Sequence, residues 1–385
     1  MAELKITDQR LRPIADKVFA GERLSADDGM TLFRSPNLLA VGWLANYVRE
    51  KRHGNITYYN VNRHINPTNV CVAHCKLCAF GRDPNAPGAY NFALDEIYAR
   101  AEQGVREGAT EFHIVGGLHP DLPFDYFLEM IRGLKQRCPT VHLKAFTMVE
   151  VGYFARIAKL SVKEVLLKMK EAGVDSLPGG GAEVFHPRVR KIICDHKVSG
   201  QTWLSIARQA HEVGLRSNAT MLYGHVETDE ERVDHLIKLR ELQDQTHGFV
   251  TFIPLAFHPD NTALAHLPKT SGYLDLRNIA VARLLLDNFD HIKAYWIMLT
   301  PSIAQIAQRF GASDLDGTVA EEKIYHDAGA KTSEFTPRTE LERLIRAAGR
   351  IPVERDTAYN RVDRSKMPPI QPSQRPDLVS LTLNV

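Results

Sequence analysis

Residues 56–80 read Ile-Thr-Tyr-Tyr-Asn-Val-Asn-Arg-His-Ile-Asn-Pro-Thr-Asn-Val-Cys-Val-Ala-His-Cys-Lys-Leu-Cys-Ala-Phe. Ile56 to Asn62 has the β-branched and aromatic composition of a strand. The segment Asn69 to Phe80 that follows carries Cys71, Cys75 and Cys78 in a C-x3-C-x2-C pattern. A strand that runs into a thiol-bearing loop places three ligand side chains where βα units build their sites, at the carboxyl end of the strand.

Outward from this stretch, short β-rich runs alternate with longer amphipathic ones. Further strands are predicted over Glu111 to Gly116, Val141 to Thr147, Asp175 to Pro178, Arg216 to Gly224, Phe249 to Phe257 and Ile292 to Leu299, with another near Asp314. Helices fall between them, such as Leu94 to Glu107, closed by Gly108, and Thr228 to Gln245, opened by the capping box Thr228-Asp-Glu-Glu231. Such alternation predicts an α/β fold, a parallel (β/α) barrel of the TIM-barrel type, complete or partial. Ser35-Pro36 reads as the start of a helix that Gly54 stops. The expected organisation is an N-terminal helical lead-in over 1–55, the barrel over 56–330, and a C-terminal helix and tail packed on the barrel over 331–385, with Pro368 to Pro376 loosely ordered.

Composition narrows the partners. The 48 Lys plus Arg nearly balance 46 Asp plus Glu, which leaves no basic excess for nucleic acid or an anionic membrane. There is no apolar signal core and no spanning run, so a cytoplasmic protein acting on a small molecule is expected. The chain's five cysteines, at 71, 75, 78, 138 and 194, are too few for a disulfide framework. Cys138 and Cys194 stand outside the motif and read as packed or free thiols.

Three local thiolates can hold a four-iron cluster with one iron left open for a chelating ligand, whereas four cysteines make a closed electron carrier. The competing ligand is zinc, with His74 as a fourth donor, but His74 directly precedes Cys75 and has poor independent reach. A non-enzymatic iron-sulfur carrier is the alternative of another class, disfavoured by the missing fourth ligand.

The cysteine spacing, with aromatic Phe80 two positions after the last cysteine, resembles the radical S-adenosylmethionine (SAM) superfamily. That resemblance implies a [4Fe-4S] cluster on Cys71, Cys75 and Cys78, and SAM chelated to the open iron. It implies Phe80 near the adenine, Gly116 and Gly117 against the methionine end of SAM, and an electron donor such as flavodoxin or ferredoxin. Longer blocks are similar to the aminofutalosine synthase family of the futalosine menaquinone route: Tyr58 to Val70, Ile114 to Pro123, Lys144 to Thr147, Ser176 to Glu183, Asn218 to His225 and Ile253 to Pro259. Dehypoxanthine futalosine cyclases and deazaflavin-precursor synthases share the spacing and several blocks. The family implies SAM as a consumed substrate and 3-[(1-carboxyvinyl)oxy]benzoate as the radical acceptor.

Such a dianion calls for cationic or hydrogen-bonding groups at the barrel mouth. Arg63, His64, His119, His225 and His258 are candidates by position, with Arg63, His119 and His258 the proposed catalytic set. Glu150, just beyond a strand, is the candidate for the ribose hydroxyls of SAM. Glu183, Asn218 and Tyr223 are further candidates to line the mouth. Asn218 and Tyr223 are five residues apart, so on an unbulged strand only one can face inward.

Overall fold

The computed structural model describes residues 5–371. Its strands are β1 (Ile56–Asn60), β2 (Asn62–Ile65), β3 (Glu111–Ile114), β4 (His142–Ala145), β5 (Ser176–Leu177), β6 (Arg216–Tyr223), β7 (Phe249–Ala256), β8 (His291–Ile292), β9 (Asp314–Gly317) and β10 (Ile351–Glu354). Strands β2 to β8 form one parallel sheet in sequence order. Its two edges are joined by the 314–320 segment, through parallel bridges Lys293↔Asp314 on one side and Arg63↔Ala320 on the other. The expected barrel is therefore present, with helices outside it.

Alternation along each short strand sorts the residues. On β3, Phe112 and Ile114 are fully buried in the apolar layer beneath the helices, while Glu111 and His113 line the interior. The helices end as their sequences require. Thr228 caps Asp229–Thr246 with a full capping box, and Thr147 and Ser161 do the same for Met148–Ala158 and Val162–Ala172.

Three expectations are corrected. The run Ile56 to Asn62 is split: β2 belongs to the barrel, whereas β1 pairs with β9 and β10 in a separate parallel sheet. The run Ile292 to Leu299 is a two-residue strand followed by helix Trp296–Leu299, because its apolar run is buried on all sides and carries no period of two to separate strand from helix. The helix expected from Ser35 begins at Leu38, with Asn37 as its cap, because Asn37 Oδ1 accepts the Ala40 N–H.

The C-terminal region contributes more than a helix and tail. After helix Arg338–Ala347, β10 pairs in register with β1, and the following residues reach the amino ends of the barrel strands. Arg355 meets Asp314 at 2.7 Å and Thr357 donates to Glu111 at 2.6 Å, all four side chains buried. Residues 372–385, most of the proline-dense tail, lie outside the described residues. No helix among the described residues is long and apolar enough to cross a membrane.

Candidate active site

The cysteine loop leaves the carboxyl end of β2 and is folded by its own polar side chains. Asn66 Nδ2 donates to Val115 O, Thr68 Oγ1 to Tyr90 O, and Asn69 Nδ2 to Gly88 O, while Asn69 Oδ1 accepts the Tyr90 N–H. Backbone bonds Cys71 N–H to Arg82 O, Val72 N–H to Leu118 O and Ala263 N–H to Lys76 O then fix the thiols over the barrel mouth. The Asn-Pro-Thr-Asn stretch before Cys71 is thus a scaffold for the loop.

Cys71, Cys75 and Cys78 are free, half-buried, and line one wall of a cavity of ≈ 280 Å³. Burial pushes the Cys75 thiol up to about 12, so a thiolate there needs a cationic partner such as iron. The Gly81 N–H points at Cys78 Sγ, 3.4 Å away, the kind of sulfur hydrogen bond that tunes an iron-sulfur group. Among the described residues no three His, Cys, Asp or Glu side chains are gathered as one metal ion requires.

Phe80 is buried on the cavity wall, edge-on to Tyr90. Gly116 and Gly117 lie beside the loop, and the Gly117 N–H donates to Thr68 O. A Cβ on Gly117 would sit 2.1 Å from Val70 O. The steric demand at Gly117 therefore comes from the cysteine loop itself. Glu150 is committed by the fold: Oε1 accepts the Gly116 N–H, and Oε2 accepts the N–H and hydroxyl of Thr147. It braces the glycine pair from the start of helix Met148–Ala158.

Burial outweighs those donors and raises the Glu150 carboxyl from its ordinary 4.5 to about 7. The folded state then holds a proton that the unfolded chain has lost, so stability falls as pH rises from 4.5 to about 7 and is flat above. The expected loss is about 3 kcal/mol across that window. Thermal midpoints across it should show this slope in the native protein and a flatter one in Glu150→Gln; parallel slopes would reject the assignment.

The remaining candidates separate by strand parity. His64 faces the cavity, so its neighbour Arg63 faces out, where it pairs with Glu107 at 2.9 Å and Glu321 at 2.6 Å. Arg63 is not a cavity residue, which corrects its expected place. Neither is His119, whose Nδ1 accepts the N–H groups of Asp121 and Leu122, nor His225, which is held between Leu222 O and Glu227. His258 does line the cavity, with Nε2 on Met298 O and Nδ1 buried without a partner among the described residues. Asn218 faces the cavity, and Tyr223 turns away to donate to Asp275 at 2.8 Å. Glu183 lines the cavity as well, paired with Lys197 at 2.7 Å.

The interior also presents residues that the sequence reading passed over. Lys144 pairs with Glu111 at 2.7 Å and Lys293 with Asp316 at 3.0 Å, each almost wholly buried. His113 stacks on His64. The signal that could have found them is a charged or imidazole residue at every second position of short strands otherwise built of apolar residues.

A partial parallel barrel whose mouth carries a three-thiol loop over a largely apolar cavity with buried ion pairs defines an enzyme scaffold able to hold a reactive group on sulfur ligands. The chain belongs to the radical SAM superfamily: residues 65–239 match that family, and residues 246–367 match the CofH/MqnC C-terminal region. Aminodeoxyfutalosine synthase of Thermus thermophilus is 50% identical over 361 residues, covering 93% of this chain and 97% of that one. Cyclic dehypoxanthine futalosine synthase of Streptomyces coelicolor is 38% identical over 353 residues, covering 91% of this chain and 88% of its own. The fold is similar to that of methylornithine synthase, with a TM-score of 0.70 at 18% identity, covering 88% of this chain and 97% of that one.

Proposed function

We propose that this enzyme is an aminodeoxyfutalosine synthase, which joins the adenosyl group of SAM to 3-[(1-carboxyvinyl)oxy]benzoate. The single observation that carries this reading is the 50% identity to the Thermus thermophilus synthase over nearly the whole chain. Cys71, Cys75 and Cys78 would hold the [4Fe-4S] cluster, which when bound supplies the electron that cleaves SAM to methionine and a 5'-deoxyadenosyl radical. A flavodoxin- or ferredoxin-type protein would deliver that electron. The radical would add to the enol-ether double bond, and the aryl group would migrate from the ether oxygen to the adjacent carbon. The carboxylate would leave as CO2 while the oxygen becomes a carbonyl and the unpaired electron returns to the oxidised cluster, giving 6-amino-6-deoxyfutalosine.

The chain's own work is positioning and exclusion. Phe80, Val149, Ile253, Leu255 and Phe257 give the cavity apolar walls, which keep water from a reactive carbon radical. Gly179, Gly180 and Gly181 form a second side-chain-free edge. A Cβ on Gly179 would meet Asn218 O at 2.7 Å. Holding the vinyl carbon against the 5' carbon makes addition effectively intramolecular, and this favours it over abstraction of a hydrogen atom.

The test follows the adenosyl carbons. With SAM labelled there and the enol ether as acceptor, the label should appear in an adenine-containing adduct lacking one carboxylate, and free 5'-deoxyadenosine should be minor. Stoichiometric free 5'-deoxyadenosine with no labelled adduct would reject addition. Turnover of a futalosine-derived nucleoside would then favour the cyclase chemistry named by the Streptomyces coelicolor relative.

A further inference from the structure

Most buried histidines in this molecule have their hydrogen-bonding groups met. His211 bonds Thr246 and Ser217, and His235 lies between the Phe185 N–H and Thr220 O. His64 and His113 differ. They face each other in register on β2 and β3, and their rings stack at 4.6 Å and 15°. No group among the described residues hydrogen-bonds either ring, yet both line the cavity. His64 is buried and His113 half-buried, and two imidazoles without a protein partner among the described residues, side by side on a cavity wall, mark a ligand position.

The next strand continues the row, because Lys144 on β4 is in register with His113. Lys144 has three N–H donors, of which Glu111 takes one at 2.7 Å. The carboxylates that face this row are already neutralised: Glu111 by Lys144, with a further hydrogen bond from the Thr357 hydroxyl, Asp316 by Lys293 at 3.0 Å, and Glu322 by His326 at 3.1 Å, whose imidazole is raised to about 9 by Glu322 against the pull of burial. An arriving anion therefore meets unspent N–H donors. Burial, with Lys144 nearby, lowers both imidazoles from their usual range, so each offers one N–H and neither adds a permanent charge.

We propose that His64, His113 and Lys144 form a carboxylate seat inside the barrel. Resting on the synthase reading above, the seat holds the ring carboxylate of the substituted benzoate. It lies deeper along the strands than Gly116 and Gly117, so the far end of the substrate is anchored while its vinyl end stays beside the cysteine loop. The row acts on binding and register.

The experiment compares two unreactive probes on reconstituted holoenzyme by equilibrium dialysis: 3-methoxybenzoate and its uncharged isostere 3-methoxybenzamide. Native enzyme should prefer the benzoate about ten-fold or more, the scale of a charge-assisted hydrogen bond. His113→Leu and His64→Leu should each erase most of that preference, and His113→Gln, which keeps a donor, should restore part of it. Because the ratio is taken on one preparation, an unfolded fraction cancels. Equal affinity of native enzyme for the two probes, or leucine variants that keep the native ratio, would overturn the seat. A preserved preference alongside a failed adduct assay would keep the seat and reject the synthase reading. Adduct formation without any probe preference would do the reverse.

Discussion

Replacing any one of Cys71, Cys75 and Cys78 by alanine is expected to take reconstituted iron from about four per chain to near zero and to end SAM cleavage. The three thiols sit on one loop and share one cavity wall, and no fourth thiol lines it, so none can be replaced from within the site. Cys138 is buried where helix Phe124–Arg137 ends, away from the cavity. Cys194 is buried at the end of helix Pro187–Ile193, near Lys197 and outside the lining. Cys138→Ala and Cys194→Ala should therefore keep both iron and cleavage, at a packing cost of about 1 kcal/mol each. Iron assay with electron paramagnetic resonance, before and after SAM, reads all five variants. Full iron in a motif variant would remove the central assignment.

The barrel was legible because its signals are local. Strand-like runs, helix caps and a thiol spacing survive in a single sequence, and the caps at Thr228 and Gly108 fall where composition puts them. Which polar residue reaches the cavity is set by strand parity and pairing, and barrel strands of two to four residues carry too few positions to reveal either. The parity argument that separates Asn218 from Tyr223 holds in the structure, since β6 spans eight residues. The same argument at β2 puts adjacent Arg63 and His64 on opposite faces, but it does not say which of the two faces inward, and Arg63 is preferred in the sequence only because it leads into the cysteine loop. Three-dimensional pairing decides for His64, and only pairing shows that His113 and Lys144 extend it into a row. Arg355 and Thr357 escape sequence reading for another reason: they reach Asp314 and Glu111 from 41 and 246 residues away.

Gly117→Ala is expected to cost the cluster as well as SAM binding, with a several-fold loss of reconstituted iron. The reason is contact, since Gly117 is not among the residues with positive φ. A Cβ would lie 2.1 Å from Val70 O, 2.7 Å from Val70 C and 3.1 Å from Asn69 C. These are backbone atoms, and Val70 immediately precedes Cys71, so relief requires moving the segment that aims the first thiol. That movement also pulls on the Gly117 N–H to Thr68 O bond of 2.9 Å. Gly116 provides the control, because its nearest contact is Thr68 O at 3.2 Å, which a shift of a few tenths of an ångström relieves. Gly116→Ala should keep most of its iron and weaken SAM binding more than cluster binding, since the site beside the Glu150 contact is disturbed while the loop is not. Iron content and SAM affinity measured on both variants separate the cases. If Gly117→Ala kept full iron and lost only SAM, the pair would serve the cofactor directly, as the family resemblance implies. If it lost neither, the close approach of these two loops would carry no functional weight.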